Sequence, residues 1–370
     1  MAEVLFQGSK DVFLTKVRAD FDAVEDQALK SSKAIMNYSL IGSEPMADAL
    51  FTKVSDTTTE GSRAVWRHVA ATGIKNLGTR SAGGTYPEVE FIRGYETVVY
   101  DPDKQDSGKF IIPEEREAKE ASQYKDVLNR AKKLLYEIDR KNIADIFEEF
   151  NLAFTAPGSY PNDAADRFFA RGNAGLDGAS TGALNEELAS TAHARADGGA
   201  TQSNASSNGA SLDTDTYYSA KVTCGGFKDD VGKPFPTMGG RVDVVCGLDN
   251  VKVAKQLNES EWEIDVAENQ INIHKGTFNR IITSPYLNES YYDASNINNE
   301  DQWHLVDVSN RDSETGSGLV CISFWPLETK VERVSERDSV AYSVKQNKVY
   351  GFVDWRNVYS SKGDGASYTG

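Results

Sequence analysis

The chain has 370 residues, which is long enough for a sizeable buried core and suggests two or three domains. Its 56 acidic residues outnumber 40 basic ones, and the net charge of −16 argues against direct wrapping of nucleic acid or of an anionic membrane. No apolar run reaches about 18 residues and no basic, apolar leader is present, so we predict no membrane span and synthesis in a cytoplasm. Cys224, Cys246 and Cys321 are far apart and odd in number, which predicts buried thiols rather than a disulfide framework.

The N-terminal part of the chain indicates a polar arm. Residues 3–8 match the core of a viral 3C-type protease site used in protein expression, and we exclude them from fold reasoning. Apolar residues at helical spacing predict a helix over 11–36, and residues 37–62 are polar with a break at 57–61. The arm holds no cluster of lysine or arginine that could neutralise phosphates.

Two β-prone runs predict a long hairpin. Residues 96–100 and 109–112 flank a turn-rich octet at 101–108, which is typical of an antiparallel pair with a polar tip. A further strand is predicted over 63–71, and 73–87 is rich in glycine. Because a two-stranded ribbon is marginal alone in water, we expect the hairpin to lie against something else, such as another subunit. The residues assigned to its tip are Asp101, Asp103, Lys104, Asp106 and Lys109.

The most prominent feature of the sequence is a predicted helix over 114–154. About forty residues here lack proline and glycine, and apolar residues recur at spacings of three and four along one narrow stripe. The opposite face is heavily charged, and the length is several times that of an average helix. We call it the spine helix, and the residues predicted to form its core contacts are Leu134, Ile138, Ile146 and Phe150.

The sequence changes character twice after this helix. Residues 156–211 are rich in Gly, Ala, Ser and Asn, and a long stretch without secondary structure tends to be functional or disordered. A short helix is predicted over 212–223, with Asp213 or its neighbours as the cap, and the rest has an α/β pattern with a helix over 248–257. The predicted strands are 242–246, 270–274, 279–283, 303–308, 319–325, 331–334, 339–345 and 348–355. The last two are predicted to pair with each other through a turn at 346–347.

The residue patterns contain no catalytic, cofactor or metal site, so we predict that the protein is not an enzyme. The four histidines lack metal-ligand spacing. Residues 226–233 share glycines and a lysine with a phosphate-binding loop, but the glycines are one residue too far apart and Pro234 replaces the Ser or Thr. The aspartates of the hairpin tip open like a calcium loop, but the sixth and twelfth positions, Asp106 and Ile112, do not fit.

Three tyrosines, Tyr286, Tyr291 and Tyr292, lie in a polar, asparagine-rich segment. Tyrosine is enriched at protein–protein interfaces. We therefore favour core filling or a subunit contact over ligand stacking for these side chains.

The order of the parts resembles the Hong Kong 97-type fold of tailed-phage major capsid proteins. That order is an N-terminal arm, a long hairpin, a long amphipathic helix, a glycine-rich loop, an α/β region and returning strands. Short words add to it, because FNLAFT at 150–155 resembles the end of the long helix in such proteins. Thr191-Ala-His193 with GGATQSN at 198–204 resembles a loop of Mu-like major head subunits, and VDWR at 353–356 resembles their closing strand.

This resemblance implies an α+β fold and a division of the chain into regions. Residues 158–189 depart from the pattern as an insertion before the Thr-Ala-His word, and a role in capsomer contacts is one possibility for them. The implied regions are an N-terminal arm (1–60), an extended E-loop (61–112), a peripheral P-domain with the spine helix (113–215), an axial A-domain (216–335), returning P-domain strands (336–360) and a tail (361–370).

The function implied is that of a major capsid, or head, protein that assembles into pentamers and hexamers of an icosahedral virion shell around phage double-stranded DNA. Assembly would take place in the cytoplasm of the bacterial host. The implied partners are other copies of the chain, a separate scaffolding protein, a portal protein and a possible decoration protein. An encapsulin-like nanocompartment shell around cargo enzymes is the alternative, and a soluble α/β enzyme or binding protein is the third interpretation.

The absence of a basic arm adds an inference about DNA. A shell that condensed its genome during assembly would need positive charge to neutralise phosphates. We therefore hypothesise that the shell forms empty, that a separate motor drives the DNA in, and that the packaged DNA is contacted only weakly.

Overall fold

The structure is a computed structural model with three sheets and one dominant helix. It describes residues 19, 43–60, 63–75, 90–102, 106–113, 121–160, 167–171, 186–195, 198–229, 231–240, 242–262, 271–288, 290–292, 301–308, 318–334 and 339–368. The predicted helix over 11–36 and the tip residues Asp103 and Lys104 lie outside these residues. Among the described helices, none is both long and apolar enough to cross a membrane.

The described residues form four α-helices and twelve strands, and most strands follow one another in runs, which fits an α+β fold. The helices are α1 (Ser43–Leu50), α2 (Ala121–Asn151), α3 (Thr214–Gly225) and α4 (Val251–Glu259). The first six strands are β1 (Thr52–Val54), β2 (Thr58–Glu60), β3 (Arg63–Lys75), β4 (Glu90–Tyr100), β5 (Asp106–Pro113) and β6 (Phe168–Phe169). The last six are β7 (Val242–Cys246), β8 (Phe278–Thr283), β9 (Trp303–Val306), β10 (Leu319–Val334), β11 (Ser339–Phe352) and β12 (Val358–Ser361).

The spine helix is α2, and its 31 residues span about 46 Å at 1.5 Å per residue. It begins within the predicted range and ends three residues before the predicted limit, while 114–120 lie outside the described residues. Its first half packs Ala131, Leu135 and Ile138 on the strand residues Val340 and Tyr342. Its second half enters the large core of the α/β sheet. The single stripe predicted from periodicity therefore serves two cores.

The central sheet has the strand order β1-β10-β11-β5, and β6 extends the β5 edge of β11. In it, β10 and β11 form one long antiparallel hairpin. The predicted strands 319–325 and 331–334 are thus one strand. The predicted pairing of 339–345 with 348–355 is wrong, because 339–352 form one strand, β11, in which most side chains are buried.

The predicted pairing of 96–100 with 109–112 is also wrong. β4 pairs with β3 in a three-stranded sheet with β2, whereas β5 pairs along β11 and packs Phe110 against Tyr342 at 5.4 Å between ring centroids. β-propensity marks a strand but does not choose its partner, and apolar burial against β11 and the spine helix decides it. A long hairpin does exist within residues 61–112, formed by 63–75 and 90–100.

The third sheet carries the α/β region in the order β12-β9-β7-β8, with β7 and β8 parallel. The predicted helix over 212–223 is α3, and Asp213 caps it as expected by accepting from the Thr216 amide at 2.7 Å. The predicted strand over 270–274 is wrong, since residue 271 makes only an isolated bridge to Trp262. The three cysteines are buried and free, as predicted.

The implied region boundaries do not coincide with the sheets. The limit at 335 falls between β10 and β11, which pair with each other, so 319–334 belong to the central sheet rather than to the α/β sheet. Conversely, β12 at 358–361 pairs with β9 and completes the α/β sheet.

Candidate functional site

Three of the four words that carried the sequence resemblance, at 191–193, 198–204 and 353–356, meet in one buried cluster. The His193 imidazole stacks on the Trp355 indole at 4.0 Å between ring centroids, and its Nε2 lies 2.8 Å from Asn204 Oδ1. The Asn204 side-chain amide donates to the carbonyls of Leu188, Trp355 and Val358. These contacts join the glycine-rich loop to the closing segment. His193 and Asn204 of the glycine-rich stretch are therefore part of the core, and their contacts hold the closing segment in place.

The other histidines show no arrangement that points to catalysis. His304 is buried beside Phe150, its Nδ1 is 2.8 Å from Ser360 Oγ, and burial lowers its pKa to about 3, so it is neutral near pH 7. His274 is buried against the Tyr217 ring, and His68 stacks on Trp66. Within the described ranges, no group of three or more His, Cys, Asp or Glu could hold a metal ion.

In the segment that resembles a phosphate-binding loop, an aspartate side chain accepts hydrogen bonds from two of the backbone amides. The Asp229 carboxylate accepts hydrogen bonds from the amides of Val231 and Lys233 at 3.0 and 2.8 Å. A carboxylate in this position occupies the donors that a phosphate would need. That the segment binds no nucleotide stays a prediction.

Two of the aspartates predicted at the hairpin tip are anchors inside the molecule. Asp101 accepts from the Trp325 indole at 3.0 Å and from the Asn347 amide at 2.5 Å. The side chain of Asp106 is only 6% exposed, with Lys141 Nζ at 2.6 Å and Arg167 at 2.6 and 3.0 Å. Two cations already neutralise Asp106, so it cannot serve as a calcium ligand.

The third tip residue that is described, Lys109, lies on the surface. Its ammonium is 3.6 Å from a Glu332 carboxylate oxygen, and Lys330 lies 2.7 Å from the other oxygen of the same group. A shallow groove of about 420 Å³ runs beside these residues between β5, β10 and β11. Its charges are paired with each other, which makes it a solvated face rather than a ligand site.

The predicted core residues of the spine helix lie against both cores. Ile138, Ile146 and Phe150 are buried, and Leu134 is half-buried against the smaller cluster. The tyrosine segment also packs on this helix. Tyr286 accepts from Arg140 Nε at 2.7 Å, while the Tyr292 hydroxyl donates to Asp145.

Sequence reasoning missed the buried acids of the spine helix. Asp145, Glu148 and Glu149 are each 1% exposed, although they follow a run of solvated charges on the same helix. Burial raises the pKa of Asp145 to about 6 and that of Glu149 to about 8. Neither carboxylate oxygen of Glu149 has a hydrogen-bond partner among the described residues. One signal was available: five acidic residues, three of them on the helix, lie between Lys141 and the next basic residue, Arg167.

Sequence reasoning also missed an inside-out segment at 271–274. Ile271 and Ile273 are 73% and 75% exposed, whereas the polar residues between and after them, Asn272 and His274, are buried. The Asn272 amide donates to the carbonyls of Leu257 and Ser260, which holds the polar side inward. An apolar side that faces solvent while polar side chains face the core indicates a surface that contacts another molecule.

The exposed apolar surface extends beyond this segment. Trp262 bridges to Ile271 and is 53% exposed, and Tyr218 of α3 lies 6.1 Å from the His274 ring between centroids. Val222, one turn along α3, is 58% exposed. We call Trp262, Ile271 and Ile273, with Tyr218 and Val222, the apolar patch.

Comparison with known proteins finds similarity at the level of structure. No family model matches the sequence, and no curated protein matches it. The mature capsid of bacteriophage PhiM1 is similar at 10% identity and a TM-score of 0.44, covering 88% of this chain and 87% of that one. The capsid of cyanophage P-SCSP1u is similar at 13% identity and a TM-score of 0.42, covering 88% and 89%. A virus-like particle from Pyrococcus furiosus is similar at 10% identity and a TM-score of 0.39, covering 93% and 98%.

Two of these structures are capsids and the third is a virus-like particle, while the closeness of this chain to Mu-like head subunits stays a prediction. Their TM-scores are below 0.5. The function is therefore argued from the residues of this chain.

Proposed function

We propose that the chain is the structural subunit of a closed protein shell, and specifically the major capsid protein of a tailed phage. The observation that carries the proposal is the inside-out segment, because Ile271 and Ile273 are the most exposed large apolar side chains among the described residues. Solvent exposure of such side chains is unfavourable by about 25 cal/mol per Å². Burial against a second copy of the chain removes this cost.

Rings of identical subunits provide the second copy. A patch that binds a different surface of the next subunit closes into a ring when the rotation fits, and rings of five and six can tile a shell. The patch is bordered by charge of both signs, with Lys275 Nζ 3.2 Å from Glu261. This surface suits a specific contact with a polar rim, as protein interfaces have.

The β3–β4 hairpin supports the same proposal. β3 has 13 residues, so the hairpin is about 40 Å long, yet in its sheet it pairs only with the three-residue β2. A narrow ribbon gains stability when it lies on another surface. We propose that the intersubunit contact assigned by sequence to the hairpin tip belongs to this hairpin.

The remaining partners of the proposed shell follow from charge and resemblance. The acidic chain fits a shell that assembles without DNA, with the help of a separate scaffolding protein. The DNA then enters through a portal. A decoration protein on the outside is an optional partner. The virion is the proposed location, after assembly in the host cytoplasm.

Microscopy and sedimentation of the purified chain test the proposal. We expect rings or closed particles for the wild type and for I273V, and small species only for I273D. Because Ile273 is exposed, I273D should unfold within about 0.5 kcal/mol of the wild type, which separates assembly from folding. A wild type that stays monomeric across salt and concentration would sink the shell proposal. Normal assembly of I273D would remove the patch from it.

A DNA-binding titration tests the charge argument. We expect the isolated subunit to bind duplex DNA weakly at physiological salt. Tight binding that weakens steeply with added salt would show that the subunit itself condenses DNA.

A further inference from the structure

Within the insertion at 158–189, residues 167–171 form a buried segment that we call the strap. Its sequence is Arg-Phe-Phe-Ala-Arg, and all five residues are buried, the first 7% exposed and the other four at most 2%. Five consecutive buried residues, two of them arginines, are unusual in a stretch otherwise dominated by small and polar residues. The insertion therefore reaches the interior instead of lying wholly on the surface.

The strap is held on both faces by aromatic contacts. Phe169 packs against Trp66 of β3 at 5.8 Å between ring centroids, in the small core that also contains Val99 of β4. Phe168 points into the main core and meets the Tyr292 ring edge-on at 6.0 Å. The strap thus lies between the base of the β3–β4 hairpin and the body of the subunit.

Backbone pairing fixes the register of the strap. β6 pairs in parallel with Tyr350 and Gly351 of β11, and the Tyr350 amide donates to the Arg167 carbonyl at 3.0 Å. A β-carbon at Gly351 would collide with the Phe169 carbonyl, so only glycine fits here. The register places Arg167 at the start of β5.

Arg167 joins three parts of the chain through charge. Its guanidinium contacts Asp106 with both terminal nitrogens, at 2.6 and 3.0 Å, and lies 3.5 Å from Asp145 of the spine helix. Lys141 shares Asp106 at 2.6 Å. The other polar groups that face the cluster are Tyr292, which donates to Asp145, and the neutral amides of Asn142 and Gln346.

The protonation of Asp106 is consistent with this pairing. Burial raises the pKa of Asp106, but hydrogen bonds and the charges of Arg167 and Lys141 outweigh burial and hold it below the usual range. Asp106 is therefore ionised throughout the neutral range. A buried bidentate pair of this kind resists disruption, because removing one partner leaves an uncompensated charge.

We propose that the strap is a lock that fixes the direction of the β3–β4 hairpin relative to the spine helix, with Arg167 as its positioning residue. The chain leaves the hairpin at Tyr100 and enters β5 at Asp106, so a clamp on Asp106 holds the exit of the hairpin. Asp101, which accepts hydrogen bonds from Trp325 and Asn347, holds the chain just after β4. The consequence for assembly rests on the proposed function, whereas the lock is a property of the single subunit.

Hydrogen–deuterium exchange on the full-length chain tests the lock. For R167Q we expect exchange in peptides covering 96–100 and 106–113 to rise about 10-fold or more, with peptides covering 242–246 unchanged. R167K keeps the positive charge but loses the bidentate contact, so its exchange rate in these peptides should lie between those of the wild type and R167Q. R67Q is the matched control, because Arg67 pairs with Glu96 at 2.9 Å on the exposed surface of the hairpin. It should leave exchange at 106–113 unchanged.

The double variant D106N/R167Q separates pairing from general damage. If the two groups act as one lock, the double variant should exchange no faster than R167Q alone. A uniform rise across the chain, or an R167Q profile identical to the wild type, would overturn the lock. These outcomes do not depend on assembly, so a wild type that forms no particles would refute the shell and leave the lock to be judged by exchange alone.

Discussion

The two halves of the spine helix differ in how far their charged side chains are buried. The charged side chains of residues 128–140 are exposed or half-buried, and Lys133, Glu137 and Arg140 are among the exposed ones. Residues 142–150 expose no charged side chain, although Asp145, Glu148 and Glu149 lie among them. The difference comes from what covers each half. The first half has a sheet on one side, whereas the strap, the tyrosine segment and the α/β core surround the second.

The comparison shows that a charged side chain on a helix is not necessarily exposed to solvent. In the second half each acid is treated differently. Asp145 receives a hydrogen bond from Tyr292, Glu148 receives one from Ser290, and Glu149 lies buried without a hydrogen-bond partner among the described residues. Burial of a carboxylate without a compensating partner costs free energy, and it raises the pKa so that the neutral acid is favoured. The second half of the helix therefore combines the tightest packing with a stored electrostatic cost.

The largest expected effect is a charge placed in the covered half. F150D removes a fully buried ring and buries a carboxylate, so we expect a loss of about 5 kcal/mol or more in the free energy of unfolding. The matched change in the first half is Y136D, at a side chain 47% exposed, with an expected loss under about 1 kcal/mol. Denaturant titration measures both. Similar losses in the free energy of unfolding would mean that the two halves of the helix are buried to the same extent.

The next effect depends on pH. The pKa of Glu149 is about 8 in the folded chain against 4.5 for the free side chain, so the folded state keeps a proton that the unfolded state loses. The free energy of unfolding therefore falls as pH rises from 4.5 to 8, by about 1.4 kcal/mol per unit of pKa difference. We expect E149Q to abolish this part of the pH dependence and to be about 4 kcal/mol more stable than the wild type at pH 8.

E137Q is the control for this prediction, because Glu137 is exposed on the same helix. Its stability difference from the wild type should stay small and flat between pH 5 and 8. Denaturant curves at several pH values give both differences. An E149Q curve parallel to that of the wild type would show that Glu149 is ionised in the folded chain.

The smallest effect concerns the packing of the first half on β5. A β-carbon at Gly108 would collide with the Leu134 side chain, which can move because it is only half-buried. We expect G108A to cost about 1 kcal/mol, and L134A to relieve the collision so that the double variant loses less than the sum. G240A is the control, since nothing lies within 4 Å of the added carbon. Strict additivity would mean that the two residues do not touch.

Local sequence determined the elements that depend on neighbours along the chain. The spine helix, the capped α3 and the strands at 242–246 and 278–283 follow from periodicity, capping chemistry and apolar runs. Burial of Ile138, Ile146 and Phe150 follows from the same stripe. The three buried cysteines that form no disulfide follow from number and spacing.

Only the tertiary structure decided which strands pair and which charges are buried. β5 pairs with β11 instead of closing the predicted hairpin, and Asp101 and Asp106 of the predicted tip bind side chains of the same subunit. Arg167 of the strap is buried although it lies in a polar stretch of the sequence. The physical reason is that strand partners and charge neutralisation are set by contacts between residues far apart in sequence. Asp106 meets Arg167 across 61 positions, and no local pattern encodes that distance.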